Sequence, residues 1–218
     1  MGRIWQWREE EAEALWAECR RLVDSGGILA LPTETFYALA VDPYQFAALE
    51  RLFSLKGRHG AKPVLLLVAS PEMALKVARK VPLAGARLME QFWPGPLTLI
   101  LPAREDLPPL VTAETGTVGV RQPRQAVTCR LLAALGLPVT GTSANRSGQE
   151  PLTRPEEVDR EFGAEVDLIL DTGPCPGGLP STIVNVSIAP PRLVRPGAIA
   201  VKELRKIIPN LKSAPSYG

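Results

Sequence analysis

Short apolar runs of strand length alternate along this chain with segments of helical periodicity, and that alternation narrows the possible folds more than any other feature. Ile28–Leu31, Pro63–Val68, Leu97–Leu101, Thr117–Arg121, Val139–Thr142 and Leu168–Leu170 read as strands, the first of them broken by Pro32. Between them, Ala12, Leu15, Trp16, Cys19, Leu22 and Val23 recur at helical spacing within Glu9–Ser25, and Gly26 and Gly27 stop the run. Tyr44–Leu55, Gly85–Gln91, Ala126–Leu135 and Pro155–Phe162 continue the helices, with one more starting at Pro71 behind a Ser70 cap. Such alternation predicts an α/β fold. Thr182–Val186 and Arg192–Val194 follow each other with no helix between them, so some antiparallel pairing and a mixed sheet are expected. Lys202–Ile208 reads as a closing helix. The pattern predicts one domain over residues 1–218, with 213–218 a frayed tail.

Several function classes fall away on residue counts. The net charge is only +2 over 218 residues, so any grip on nucleic acid must come from a local patch. Cys19, Cys129 and Cys175 lie far apart with no C-x-x-C pair, against both a disulfide framework and a zinc site. The single histidine, His59, leaves no metal-ligand cluster and no serine triad in a G-x-S-x-G setting. Neither a P-loop nor a G-x-G-x-x-G fingerprint is present. The charged amino terminus does not read as a signal peptide, and Val64–Ala69 is far too short to span a bilayer, so a soluble cytoplasmic protein without membrane attachment is expected.

What remains is cationic and hydroxyl chemistry near strand ends. Lys56 and Arg58 flank a glycine on what reads as a connection, and together they suit either a phosphate or an ordinary solvated charge pair. Thr140–Gly148 is dense in small hydroxyl and amide residues around Ser143 and Asn145; it reads as an anion nest or as a hydrophilic turn. Ser181 opens a strand, Arg195 closes one, and Thr117 and Arg121 fall on one face of theirs.

Pro32-Thr33-Glu34-Thr35-Phe36-Tyr37, Lys56-Gly57-Arg58 with Lys62-Pro63, Trp93-Pro94-Gly95-Pro96-Leu97-Thr98, Ser143-Ala144-Asn145-Arg146-Ser147-Gly148, Ser181-Thr182-Ile183-Val184 and Arg195-Pro196-Gly197 together resemble the YrdC family, in the family's order from about Gly27 to Ile199. The resemblance implies a twisted mixed sheet with flanking helices around a large basic concave cleft. It also implies a threonylcarbamoyl-AMP synthase that joins L-threonine, bicarbonate and ATP, with Mg2+ on the phosphates and release of pyrophosphate. A separate transferase complex would pass the threonylcarbamoyl group to tRNA. Carried over residue by residue, Thr33, Arg121 and Ser181 would hold threonine. Lys56, Arg58, Thr117, Ser143, Asn145 and Arg195 would hold ATP, with Lys56, Arg58, Ser143 and Asn145 as the catalytic set. Ala38 and Ala40 stand where the family usually has glycine, His59 replaces a usual proline, Val64 a usual leucine, and Leu67 lies where some relatives carry histidine. The family's shorter form, without the additional carboxy-terminal domain, is the one this chain resembles.

Two other readings compete. A module for tRNA or other structured RNA would use Arg124, Arg130, Arg146 and Arg154 on phosphates around the same hollow. A carbamoyl-adenylate domain of the hydrogenase-maturation type would need zinc-finger and acylphosphatase-like parts that do not occur here.

Overall fold

A computed structural model describes residues 3–57 and 63–213 of the chain. In chain order the first elements are β1 (Arg3–Gln6), α1 (Ala12–Asp24), β2 (Leu29–Leu31), β3 (Ala38–Ala40), α2 (Phe46–Lys56), β4 (Leu65–Leu67) and α3 (Pro71–Ala74). The middle of the chain forms α4 (Leu83–Phe92), β5 (Leu97–Pro102), α5 (Pro109–Thr112), β6 (Thr117–Arg121), α6 (Ala126–Leu135), β7 (Val139–Thr140) and β8 (Thr142–Ser143). The last elements are α7 (Pro155–Phe162), β9 (Leu168–Asp171), β10 (Thr182–Asn185), β11 (Arg192–Arg195) and α8 (Val201–Ile207).

The α/β expectation holds, but the strands part into two sheets where one was expected. The first runs β1-β9-β2-β3-β8 and the second β11-β10-β5-β6-β4-β7. Both are mixed. In the first, β1, β9 and β2 are parallel while β3 is antiparallel to β2 and β8. In the second, β10 pairs parallel to β5 and antiparallel to β11, as the close spacing of those late strands implied.

The division turns on one residue. The stretch read as a single strand, Val139–Thr142, pairs with β4 of the second sheet through Thr140 and then with β3 of the first through Thr142. Gly141 lies at the crossing, where a Cβ atom would stand 2.5 Å from Cγ of the fully buried Leu67. Next to it, Thr140 stitches the sheets: its hydroxyl accepts from the Val41 amide at 3.0 Å and donates to the Leu39 carbonyl at 3.2 Å.

Strands buried on both faces explain the unbroken apolar runs. In β2, Leu29 and Leu31 pack with Leu15, Cys19 and Leu22 of α1 and Leu131 of α6, while Ala30 turns to the larger core with Leu39, Leu49 and Ile169. Ala38 and Ala40 belong to an extended hairpin strand that sequence periodicity did not reveal. Neither has a positive φ, so the family's glycines there are not needed for backbone freedom in this chain. The Ser70 hydroxyl accepts from the Met73 amide at 3.2 Å, the expected cap of α3. Strand β1 was also missed, because its apolar partners are tryptophans rather than a run. Trp7 stacks on Trp16 of α1 with ring centroids 5.4 Å apart, clamping the edge strand to the helix. Residues 58–62 and 214–218, including Arg58, His59, Lys62 and most of the expected tail, lie outside the described residues.

Gly141→Ala is expected to destabilise the chain by about 1–3 kcal/mol through overpacking against Leu67. Urea denaturation checks this: the midpoint falls, and Gly141→Ala combined with Leu67→Ala costs less than the two single substitutions added together.

Candidate active site between the two sheets

The sheets diverge around a cavity of ≈ 530 Å³, inside the range of about 300–1,000 Å³ usual for small-molecule sites. The first sheet contributes Ala38, Thr142 and Ser143; the second contributes Leu65, Thr98, Arg121, Ile183 and Arg195. Lys56 and Asn145 line it from the side, and Ser181 sits at the foot of β10.

Lys56 is the last residue of α2 rather than part of a connection, and Gly57 at φ 58° ends the helix in the left-handed conformation. Its side chain is buried, and its ammonium donates to the backbone carbonyls of Ser143 and Asn145, the latter at 2.7 Å, and to Asn145 Oδ1 at 3.4 Å. Asn145 Oδ1 also accepts from the Ser143 hydroxyl at 2.6 Å, while its Nδ2 donates to the carbonyls of Arg146 and Gln149. Further backbone bonds join the Ser147 amide to the Lys56 carbonyl and the Ala144 amide to the Tyr37 carbonyl. Lys56, Ser143 and Asn145 therefore meet, as the motifs suggested, in a cluster tied largely to itself. The buried positive charge faces the cavity while its hydrogen bonds hold the 143–149 loop in shape.

Arg121 ends β6 with its side chain only 5% exposed. Nη1 donates to Thr35 Oγ1 at 3.3 Å and lies 3.7 Å from Glu34 Oε1. Burial pulls its pKa below the ordinary arginine value, and the Glu34 carboxylate opposes that shift. Arg195, on the edge strand β11, donates from Nη2 to the Ser181 carbonyl at 2.8 Å and to the Ser181 hydroxyl at 3.1 Å. Its pKa is lowered first by burial and then by repulsion from Arg121, which marks the two guanidinium groups as neighbours across the hollow. Ser181 Oγ meets Thr98 Oγ1 at 2.9 Å.

Two expected residues stand elsewhere. Thr33 is buried behind the wall, where its hydroxyl donates to the Phe36 carbonyl at 2.7 Å and accepts from the amides of Thr35 and Phe36, so it shapes the turn that presents Thr35. Thr117 lies at the far end of β6 from Arg121, roughly 13 Å away at strand spacing, and its hydroxyl pairs with that of Thr115 at 2.8 Å. Arg58 falls outside the described residues. The cavity adds Thr35 and Thr98, for which no role was assigned. Thr98 did carry a signal, as the one hydroxyl in the otherwise apolar run Leu97–Leu101.

The cysteines offer no thiolate. Burial pushes the Cys19 thiol up to about 12 and the Cys175 thiol up to about 11, and raises Cys129 as well, so all three stay protonated at neutral pH. Among the described residues no group of three His, Cys, Asp or Glu side chains could hold a metal ion, and no helix is long and apolar enough to cross a membrane. What the arrangement supplies is positive charge and hydroxyl groups, suited to gathering anions and orienting them.

Comparison with known proteins agrees with that chemistry. The sequence profile of the Sua5, YciO and YrdC proteins, described as telomere recombination, matches residues 21–197. A threonylcarbamoyl-AMP synthase of Pyrococcus abyssi is 34% identical over 197 residues, covering 90% of this chain and 58% of the relative. The threonylcarbamoyl-AMP synthase of Bacillus subtilis is 33% identical over 193 residues, covering 88% of this chain and 56% of its own length. This chain thus spans a little over half the length of both. The crystal structure of P. abyssi Sua5 complexed with L-threonine superposes with a TM-score of 0.91 at 31% identity, covering 99% of this chain and 63% of that one.

Lys56→Met removes the ammonium that the Ser143 and Asn145 carbonyls share; the Ser143 carbonyl keeps the Asn145 amide at 3.0 Å, while the Asn145 carbonyl loses its Lys56 donor, at a cost of about 1–3 kcal/mol. Amide hydrogen exchange is expected to speed at Ala144 and Ser147 while protection in α6 and β9 is retained.

Proposed function

Because the chain belongs to the Sua5, YciO and YrdC family, we propose that it is an L-threonylcarbamoyladenylate synthase, condensing L-threonine, bicarbonate and ATP into threonylcarbamoyl-AMP and pyrophosphate. The observation that carries this reading is the meeting of Lys56, Arg121 and Arg195, from three separate segments, with the hydroxyls of Thr35, Thr98, Ser143 and Ser181 around one cavity.

The chemistry asks for that. The amine of threonine adds to bicarbonate with loss of water, giving a carbamate. A carbamate oxygen then attacks the α-phosphorus, the bond to the bridging oxygen breaks, and pyrophosphate leaves with the electron pair. Attacking and attacked groups are both anionic, so the enzyme's task is to hold them together against repulsion. At an effective dielectric near 20, each cation–anion contact at 4 Å is worth about 4 kcal/mol before desolvation is charged. In this reading Arg121 and Ser181 hold the threonine carboxylate and hydroxyl end, with Thr33 acting through the turn that presents Thr35. Lys56, Ser143, Asn145 and Arg195 face the nucleotide, joined by Arg58; Thr117 would reach it only through a part of ATP that extends well beyond Arg121. Magnesium enters with the triphosphate as part of the substrate, and no side chain needs to become covalently attached. The product would go to a threonylcarbamoyl transferase complex acting on tRNA.

The RNA-module reading is weaker, because three of the four arginines it needs, all but Arg154, already have partners. Glu9 holds Arg130 in a two-pronged pair at 2.7 Å, Glu161 holds Arg146, and the Pro94 carbonyl accepts from Arg124 at 3.3 Å.

Pyrophosphate release from ATP is expected to require L-threonine and bicarbonate together, and Arg195→Ala to lower kcat/KM at least tenfold, about 1.4 kcal/mol. Turnover that ignores either co-substrate, or an unimpaired Arg195→Ala, counts against the assignment.

A further inference from the structure

The Glu34–Arg121 pair is built in an unusual way for a buried ion pair. Oε1 of Glu34 lies 3.7 Å from Arg121 Nη1, close enough for Coulomb attraction but too far for a hydrogen bond. Both Glu34 Oε1 and Arg121 Nε are buried without a hydrogen-bond partner among the described residues. A native protein that buries a charge pair normally completes it with hydrogen bonds, so two orphaned atoms in one pair call for a reason. The other carboxylate oxygen, Oε2, is anchored by the Arg124 amide at 3.0 Å, which moors Glu34 at that distance from Arg121. Charges do not balance either: Arg121 and Arg195 bring two guanidinium groups to the cavity, and Glu34 answers one of them.

We infer that Glu34 is a positioning residue that acts as a placeholder anion: it holds the Arg121 guanidinium charged and aimed at the cavity, and yields that group's hydrogen bonds to an incoming carboxylate. The inference deepens the proposed function, and rests on it for the identity of that carboxylate as threonine's. A tighter, hydrogen-bonded Glu34 would compete with substrate, whereas no carboxylate at all would leave Arg121 buried and uncompensated. Tethering at 3.7 Å lies between the two, so Glu34 sets threonine affinity below its attainable maximum.

Calorimetric titration of the full chain with L-threonine tests this. Glu34→Gln keeps the shape but drops the competing charge, and is expected to bind L-threonine at least tenfold more tightly than the wild type, with Glu34→Asp returning affinity towards the wild-type value. L-Threoninol, which lacks the carboxylate, should be indifferent to all three side chains. A residue that merely supports the turn would weaken binding in both variants; equal or weaker L-threonine binding by Glu34→Gln overturns the inference. If the wild type binds no L-threonine, the proposed substrate is wrong, and acetate decides Glu34 separately. Acetate, and not acetamide, should raise the melting temperature of Glu34→Gln well above its effect on the wild type and on Glu34→Gln/Arg121→Gln. Should Glu34→Gln be recovered unfolded, refolding in acetate supports the inference and failure to refold there overturns it.

Discussion

Gathering like charges around one hollow, two of them buried and the third at its rim, is the constraint around which this molecule is organised. Lys56, Arg121 and Arg195 come from α2, β6 and β11 and face one cavity, and the Arg195 pKa is lowered first by desolvation and then by repulsion from Arg121. A chain tolerates that only where each cation finds acceptors in the fold. Lys56 finds backbone carbonyls, Arg195 finds Ser181, and Arg121 finds Thr35 and the more distant Glu34. The three solutions differ in kind, and the difference separates charges that shape the site from charges left with capacity for a ligand.

The two sheets make this arrangement possible. A single continuous sheet would spread its strand ends along one edge. Passing the chain from one sheet to the other at Gly141 brings β3 and β8 opposite β4, β5, β6 and β10, so that side chains from both layers meet. The crossing requires close backbone approach to Leu67, and the Thr140 hydroxyl replaces sheet hydrogen bonds that the turn gives up. The 143–149 loop follows directly, which is why the residues that organise it also border the cavity.

A reaction between anions needs little from a protein beyond alignment and compensating charge, and the site has that character. Among the described residues no cysteine lines it, and its hydroxyls are paired with neighbouring polar side chains, as in Ser181 with Thr98 and Ser143 with the Asn145 carboxamide. Such pairing fixes where each hydroxyl points before a ligand arrives, which lowers the ordering cost of binding.

Local physics wrote much of this fold into the sequence. The limits of β6, α6 and α7, the Ser70 cap and the Gly136 stop could be read from periodicity and end signals because those depend on neighbours a few residues away. Collinear motifs likewise pointed to the family and to most of the residues that line the cavity. The sequence did not reveal β1 or β3, whose pairing depends on distant partners, or the division of the strands between two sheets. Nor could it separate Thr33, turned inward to hold a bend, from Thr35 two residues later at the cavity wall, or show that Lys56 gives its hydrogen bonds to a loop nearly ninety residues away. Hydrogen-bond partners and burial are properties of atoms brought together by the whole chain, and only the tertiary structure decides them.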